Sequence, residues 1–201
     1  MNIANRKIVK LLFCLILILP WVTMPRLSPA ADPQNAPQQK ITALYLYNFL
    51  LFVDWPENAA SDTIKMAIYG APQVYEALKP MSGKTIKGKK LVVFSPTKPE
   101  GLDDCCQVLF VGDIELQILR ELLKKINGKP ILTVSDKAGF VRLGGMVSFK
   151  DPGDLRKDGK EQKRFIINLS AVRKSRLKIR SRLLRMSDIL CDTEPVNLKM
   201  P

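Results

Sequence analysis

Four short apolar runs, each closed by a turn signal, restrict the fold of this chain more than any other feature. Residues 64–69 stop at Gly70, 90–94 at Ser95-Pro96, 107–111 at Gly112, and 131–134 at Ser135-Asp136. Nearly continuous apolar runs of this length read as strands buried on both faces. Helical sequence lies between some of them: a short stretch over 73–78 and a longer one over 116–126, stopped by Asn127-Gly128. Strands alternating with helices predict parallel pairing with crossover connections. Later the pattern changes, with 146–149 and 164–167 flanking a polar stretch, which reads as a long hairpin. The expected fold is a three-layer α/β sandwich, mainly parallel, with an antiparallel hairpin at one edge. The segment 170–190 reads as helical with breaks.

The first thirty residues stand apart. Arg6, Lys7 and Lys10 precede an apolar stretch, 11–22, broken only by Pro20, and Ser28-Pro29-Ala30 ends the segment. Twelve helical residues span roughly 18 Å, short of the ~30 Å hydrocarbon core. This is the pattern of a cleaved secretory signal peptide, with an uncleaved membrane anchor as the alternative. Residues 31–39 are polar and proline-broken, a tether. Residues 40–190 then form the α/β domain and 191–201 a tail.

Charge and composition exclude several functions. The chain carries +13, and removing residues 1–30 takes away Arg6, Lys7, Lys10 and Arg26 and no acid, leaving +9. An exported protein so charged meets lipid phosphates, wall carboxylates or an acidic protein surface rather than nucleic acid. Histidine is absent, so neither a histidine base nor a histidine-ligated zinc can form. No metal, cofactor or enzymatic activity is expected. Ser95-Pro96-Thr97-Lys98 matches the S-x-x-K signature of acyl-serine enzymes, but its companion motifs are missing and the prolines oppose a helix through the lysine. Gly144-Gly145 reads as a close backbone approach at a strand start, not a phosphate loop.

Three cysteines follow the leader, Cys105, Cys106 and Cys191. In an oxidising compartment they predict a bridge from Cys191 to Cys105 or Cys106, against three free thiols, with Cys106 otherwise a small hydrophobe heading a strand.

The run 40–53 has no Gly or Pro and is stopped by Asp54-Trp55-Pro56. It reads as a helix apolar nearly all round, either sunk between layers or shared with a partner, a second copy included. Near the other end, Arg173, Lys174, Arg176, Lys178, Arg180, Arg182 and Arg185 crowd into thirteen residues without an acid. They form either a solvated helix face or a stripe for an anionic partner or membrane surface.

Together these pieces resemble the YfiR-like family of periplasmic proteins. The resemblance rests on Tyr45-Leu46-Tyr47-Asn48-Phe49 through Val53-Asp54-Trp55-Pro56, and on Cys106-Gln107-Val108-Leu109-Phe110. It continues through Leu132-Thr133-Val134-Ser135-Asp136, Gly139-Phe140, Gly144-Gly145-Met146 and Phe165-Ile166-Ile167-Asn168-Leu169, and closes in 177–185. Ser135 departs from the family's glycine, Ser148 from its frequent asparagine and Ile166 from its usual charged residue. The hairpin lacks the cysteines that some members carry there.

The resemblance implies a non-enzymatic periplasmic regulator that binds and restrains a membrane-anchored signalling protein, a diguanylate cyclase foremost, through its periplasmic segment. The expected contact residues are Leu46, Phe49, Leu50, Val53 and Trp55 on the helical side, and Arg173, Arg176 and Arg180 on the cationic side. A ligand- or envelope-binding module, using the strand ends of a parallel sheet, is the alternative.

Overall fold

The computed structural model describes residues 36–57, 61–150 and 165–190. The expected leader, residues 31–35 of the expected tether, most of the expected polar turn, and the tail with Cys191 and its expected bridge lie outside the described residues.

Helix α1 (Ala36–Phe52) begins inside what composition marks as tether. Pro37 falls in its first turn, where a proline gives up only an N–H that has no intrahelical acceptor. The helix stops before Asp54-Trp55-Pro56 as expected, but Val53–Asp54 is already extended and forms a two-residue strand, β1. Strand β2 (Thr63–Tyr69), helix α2 (Pro72–Leu78), β3 (Thr85–Ile86) and β4 (Lys89–Phe94) follow. Next come β5 (Val108–Val111), α3 (Leu116–Ile126), β6 (Leu132–Ser135), β7 (Val147–Phe149) and β8 (Phe165–Asn168).

The sequence 170–190 is not one interrupted helix. It folds as α4 (Leu169–Lys174), β9 (Lys178–Ile179), α5 (Ser181–Arg185) and β10 (Ser187–Leu190). Two strand partners compete successfully with helical hydrogen bonds. β9 pairs antiparallel with β1, and β10 lies parallel along β8. Arg176, at φ 56°, makes the left-handed turn that separates α4 from β9.

The large sheet runs β10-β8-β7-β6-β5-β2-β4-β3. β4, β2, β5, β6 and β7 are mutually parallel, whereas β7 with β8 and β3 with β4 are antiparallel. The mainly parallel sheet and the late hairpin are therefore as the sequence predicts, with β10 added outside the hairpin. The short β3–β4 hairpin at the opposite edge has no counterpart in the sequence reading.

Alternation along each strand divides two cores. Met66, Ile68, Val108, Phe110, Leu132 and Val134 point to one face, which α1 and α2 cover with Leu46, Phe49, Leu50, Val74 and Leu78. Ala67, Tyr69, Leu109 and Val111 point to the other, which α3 covers with Leu119, Leu122, Leu123 and Ile126. Covering both faces suits a parallel sheet.

An aromatic knot joins α1 to the hairpin. Phe165 meets the Tyr45 ring edge-on at 5.0 Å and the Phe49 ring at 5.2 Å, and Phe149 lies 5.6 Å from Phe165. Gly145 has the role read for it, since a Cβ there would overlap the Phe140 ring.

Phe49 is 1% exposed and Leu44 is 55% exposed. Phe49→Ala should therefore cost about 3–5 kcal/mol of stability, and Leu44→Ala should stay within ~0.5 kcal/mol of the parent. Urea unfolding of both variants measures the difference. Equal losses would contradict this orientation of α1.

Candidate functional site

The last turn of α1 delivers an extended Val53-Asp54-Trp55 to the N-terminal ends of the parallel strands. Proline at 56 disfavours helical backbone at Trp55, and β9 takes up the freed strand, aligning Val53 with Ile179 and Asp54 with Lys178. The Arg180 N–H donates to Phe52 O at 2.9 Å.

Asp54 sits at the centre of a basic clasp. Its Oδ1 accepts from Lys87 Nζ at 2.7 Å, and its two oxygens accept from Arg180 Nη2 and Nε at 3.2 and 3.1 Å. Lys87 Nζ also donates to Val53 O at 2.8 Å. Lys87 occupies the first position of the two-residue turn between β3 and β4, at φ 50°, followed by Gly88 at φ 77°. Paired left-handed residues close a tight hairpin, and a lysine there accepts some backbone strain. The clasp thus ties three distant segments together: the end of α1, the β3–β4 turn and β9.

Hydrogen bonds from Arg180 first, and then from Lys87, hold the Asp54 carboxyl below the usual carboxylate range. A depressed folded value means stability that is present above the unfolded pKa and lost as pH falls through the folded one.

Beside the clasp lies a pocket of about 170 Å³. Val53, Trp55 and Ile64 give it an apolar side, and Lys87, Lys89 and Gln107 line the rest. Gln107 orders the wall. Its carbonyl accepts from Trp55 Nε1 at 3.2 Å, and its Oε1 accepts from the Lys65 N–H at 2.7 Å.

The residues expected to contact a partner separate into two groups. Leu46, Phe49, Leu50 and Val53 are all within 1% of complete burial. The expectation that they form a docking surface is corrected: sheet and α2 together cover a wider arc of α1 than one packed face. The apolar residues that α1 does expose are Ile41, Leu44 and Leu51. Trp55 is half-buried in the pocket wall, and Arg173 and Arg176 are exposed. Arg180 is held by Asp54, so the cations of 173–185 do not form a single helical stripe. Sequence reasoning missed Lys87, Lys89 and Gln107. The Lys87-Gly88 pair was the available signal, a two-residue turn between short strands.

Other sequence features have plain structural roles. Ser95 Oγ donates to Ile68 O at 3.0 Å, and no helix runs from it through Lys98. Cys106 is buried at the head of β5 with its Sγ 3.7 Å from Leu102 O. Its thiol is pushed up, by burial first and then by the adjacent Cys105. Among the described residues, Cys105 and Cys106 form no disulfide with each other.

At the opposite end of the sheet, β2 and β5 lead to helices on opposite faces. Ligands of parallel sheets commonly enter at such a reversal. Here Gly70 and Gly112 close it: the N–H groups of Gly112 and Asp113 donate to Tyr69 O and Gly70 O at 2.8 and 2.9 Å. A Cβ on Gly112 would stand 2.6 Å from Ala71 Cβ. The reversal between β2 and β5 is filled by backbone.

The architecture is that of a three-layer α/β domain whose described residues include no helix long and apolar enough to cross a membrane. Residues 39–188 match the YfiR/HmsC-like family, and the chain belongs to it. Members of this family are periplasmic regulators. Among solved structures, the chain is similar to a conserved domain protein from Vibrio cholerae O1 biovar El Tor, with 15% identity and a TM-score of 0.48. The alignment covers 77% of this chain and 60% of that one, so this chain spans less than two thirds of the neighbour. No curated protein matches the sequence.

Asp54→Asn should lower stability at neutral pH by about 1 kcal/mol or less, the usual range for a solvent-screened pair. The deficit should shrink as pH falls through the depressed Asp54 value, because the parent then loses its own carboxylate. Urea midpoints across an acid series test this, and a deficit independent of pH would contradict the clasp.

Proposed function

We propose that this protein is a non-catalytic regulator that binds the periplasmic segment of a membrane-anchored signalling protein, most specifically a diguanylate cyclase, and restrains its output. Family membership over residues 39–188 carries this reading. The surface of α1 supports it. Ile41, Leu44, Asn48 and Leu51 recur at helical spacing along one outward row, and its three apolar members are 36–55% exposed. Met186, 41% exposed, borders the same side of α1, sharing a small cleft with Asn48. An apolar row continued by neighbouring apolar side chains suits a protein contact better than open solvent.

The cationic residues have a separate role in this reading. Exposed Arg173 and Arg176 speed and orient encounter with an acidic partner without adding much final affinity. Arg180 serves the fold through Asp54, which leaves it a smaller part in docking than its position in the sequence suggests.

Deleting the gene should raise the cyclase product, and periplasmic supply of the protein should restore restraint. Leu44→Asp should abolish capture of the signalling protein from detergent-solubilised membranes while leaving the melting transition intact. The double variant Arg173→Glu and Arg176→Glu should slow association and lose its difference from the parent in high salt. Unchanged cyclase product after deletion, with no membrane protein captured at low salt, would sink the proposal.

A further inference from the structure

The pocket at the end of α1 differs in character from the apolar row on its flank. Its volume of about 170 Å³ falls below the ~300 Å³ at which drug-sized and cofactor sites begin. It has room for one leucine- or phenylalanine-sized side chain. Indole, isoleucine and valine form an apolar side, and a charged group seated against that side would leave its water there without compensation.

The surroundings are cationic. Lys87 and Lys89 line the pocket, and Asp54 brings Lys178 and Arg180 beside it through strand register and ion pairing. Against these four cations stand Asp54, already engaged by Lys87 and Arg180, and the exposed Glu57 and Asp62. They come from two separate parts of the chain, 87–89 and 178–180, and only folding brings them together.

We infer that this pocket is an anchor site for an acidic protein segment, which inserts one large apolar side chain between Trp55 and Ile64 while flanking carboxylates meet Lys89, Lys178 and their neighbours. The inference rests on the protein-binding reading above and specifies the chemistry of what is bound. Charge complementarity around an apolar anchor is the arrangement that gives a contact both specificity and rapid encounter. A membrane surface would satisfy the cations but has no single side chain to fill the pocket.

Trp55 makes the site directly observable, because the only other tryptophan is Trp21 in the leader. The chain beginning after residue 30 is titrated with the peptide acetyl-Glu-Glu-Leu-Phe-Glu-Glu-amide while tryptophan emission is recorded. The indole should lose water and its emission should shift to the blue, saturably. The peptide with lysine in place of every glutamate should give no shift. Thr63→Phe, which fills the pocket from the first residue of β2, should weaken the acidic peptide by roughly tenfold or more, as loss of a central anchor does.

Lys89→Glu combined with Lys178→Glu should weaken it by a similar ~10-fold through charge alone. Both variants are to be compared at matched melting behaviour. No saturable shift with the acidic peptide overturns the inference, as does an equal shift with the lysine peptide. A shift produced by vesicles of anionic phosphatidylglycerol but not by the peptide overturns it in favour of a lipid contact. Because this titration involves no signalling protein, its failure leaves the regulatory reading to be judged by the gene deletion.

Discussion

The packing of α1 across one face of the sheet is the interaction on which the rest depends. A parallel sheet buries both of its faces, so a helix must cover each one. On one side α3 does this with a single amphipathic stripe. On the other, α1 is in contact with the sheet, α2 and the hairpin aromatics at once. That explains why its sequence is apolar almost all round while only Ile41, Leu44 and Leu51 remain exposed. It also fixes where the helix ends, and hence where Asp54 and Trp55 stand.

The basic clasp at that end contributes geometry more than stability. Asp54 is 41% exposed and its partners Lys87 and Arg180 are 28% and 56% exposed, so water screens much of their attraction. Three bonds to one carboxylate nevertheless hold the β3–β4 turn and β9 in register with β1. The pocket beside Trp55 exists because those segments are held apart by this arrangement and joined at one edge. At the other end of the sheet, the Gly70–Gly112 contact does the reverse and leaves no crevice between β2 and β5.

Much of the fold was legible because period and punctuation agreed. Strands β2, β4, β5 and β6 ended at or within a residue of the predicted stops, and α3 spans the predicted residues. The candidate site was less legible. Trp55 and Arg180, expected as partner contacts, do stand at the pocket and the clasp, but Leu46, Phe49, Leu50 and Val53 were assigned to the wrong environment. An all-round apolar helix has the same pattern whether a second layer or a second protein covers it, since periodicity records how much surface must be buried and not what buries it. Lys87 and Gln107 escaped notice because each acts through contacts with residues more than thirty positions away.

By itself the sequence determined the α/β class, the order of the longer strands and helices up to residue 149, the absence of histidine chemistry and the family resemblance. These depend on local apolar period, turn residues and composition, all of which are properties of neighbouring positions. Tertiary structure alone decided that β9 and β10 are strands, that α1 keeps only a narrow row for solvent, and that Asp54 joins cations from two distant segments. Each of those outcomes is a competition between local preference and long-range partners. A strand edge or a carboxylate wins it only once the chain has brought that partner within hydrogen-bonding distance.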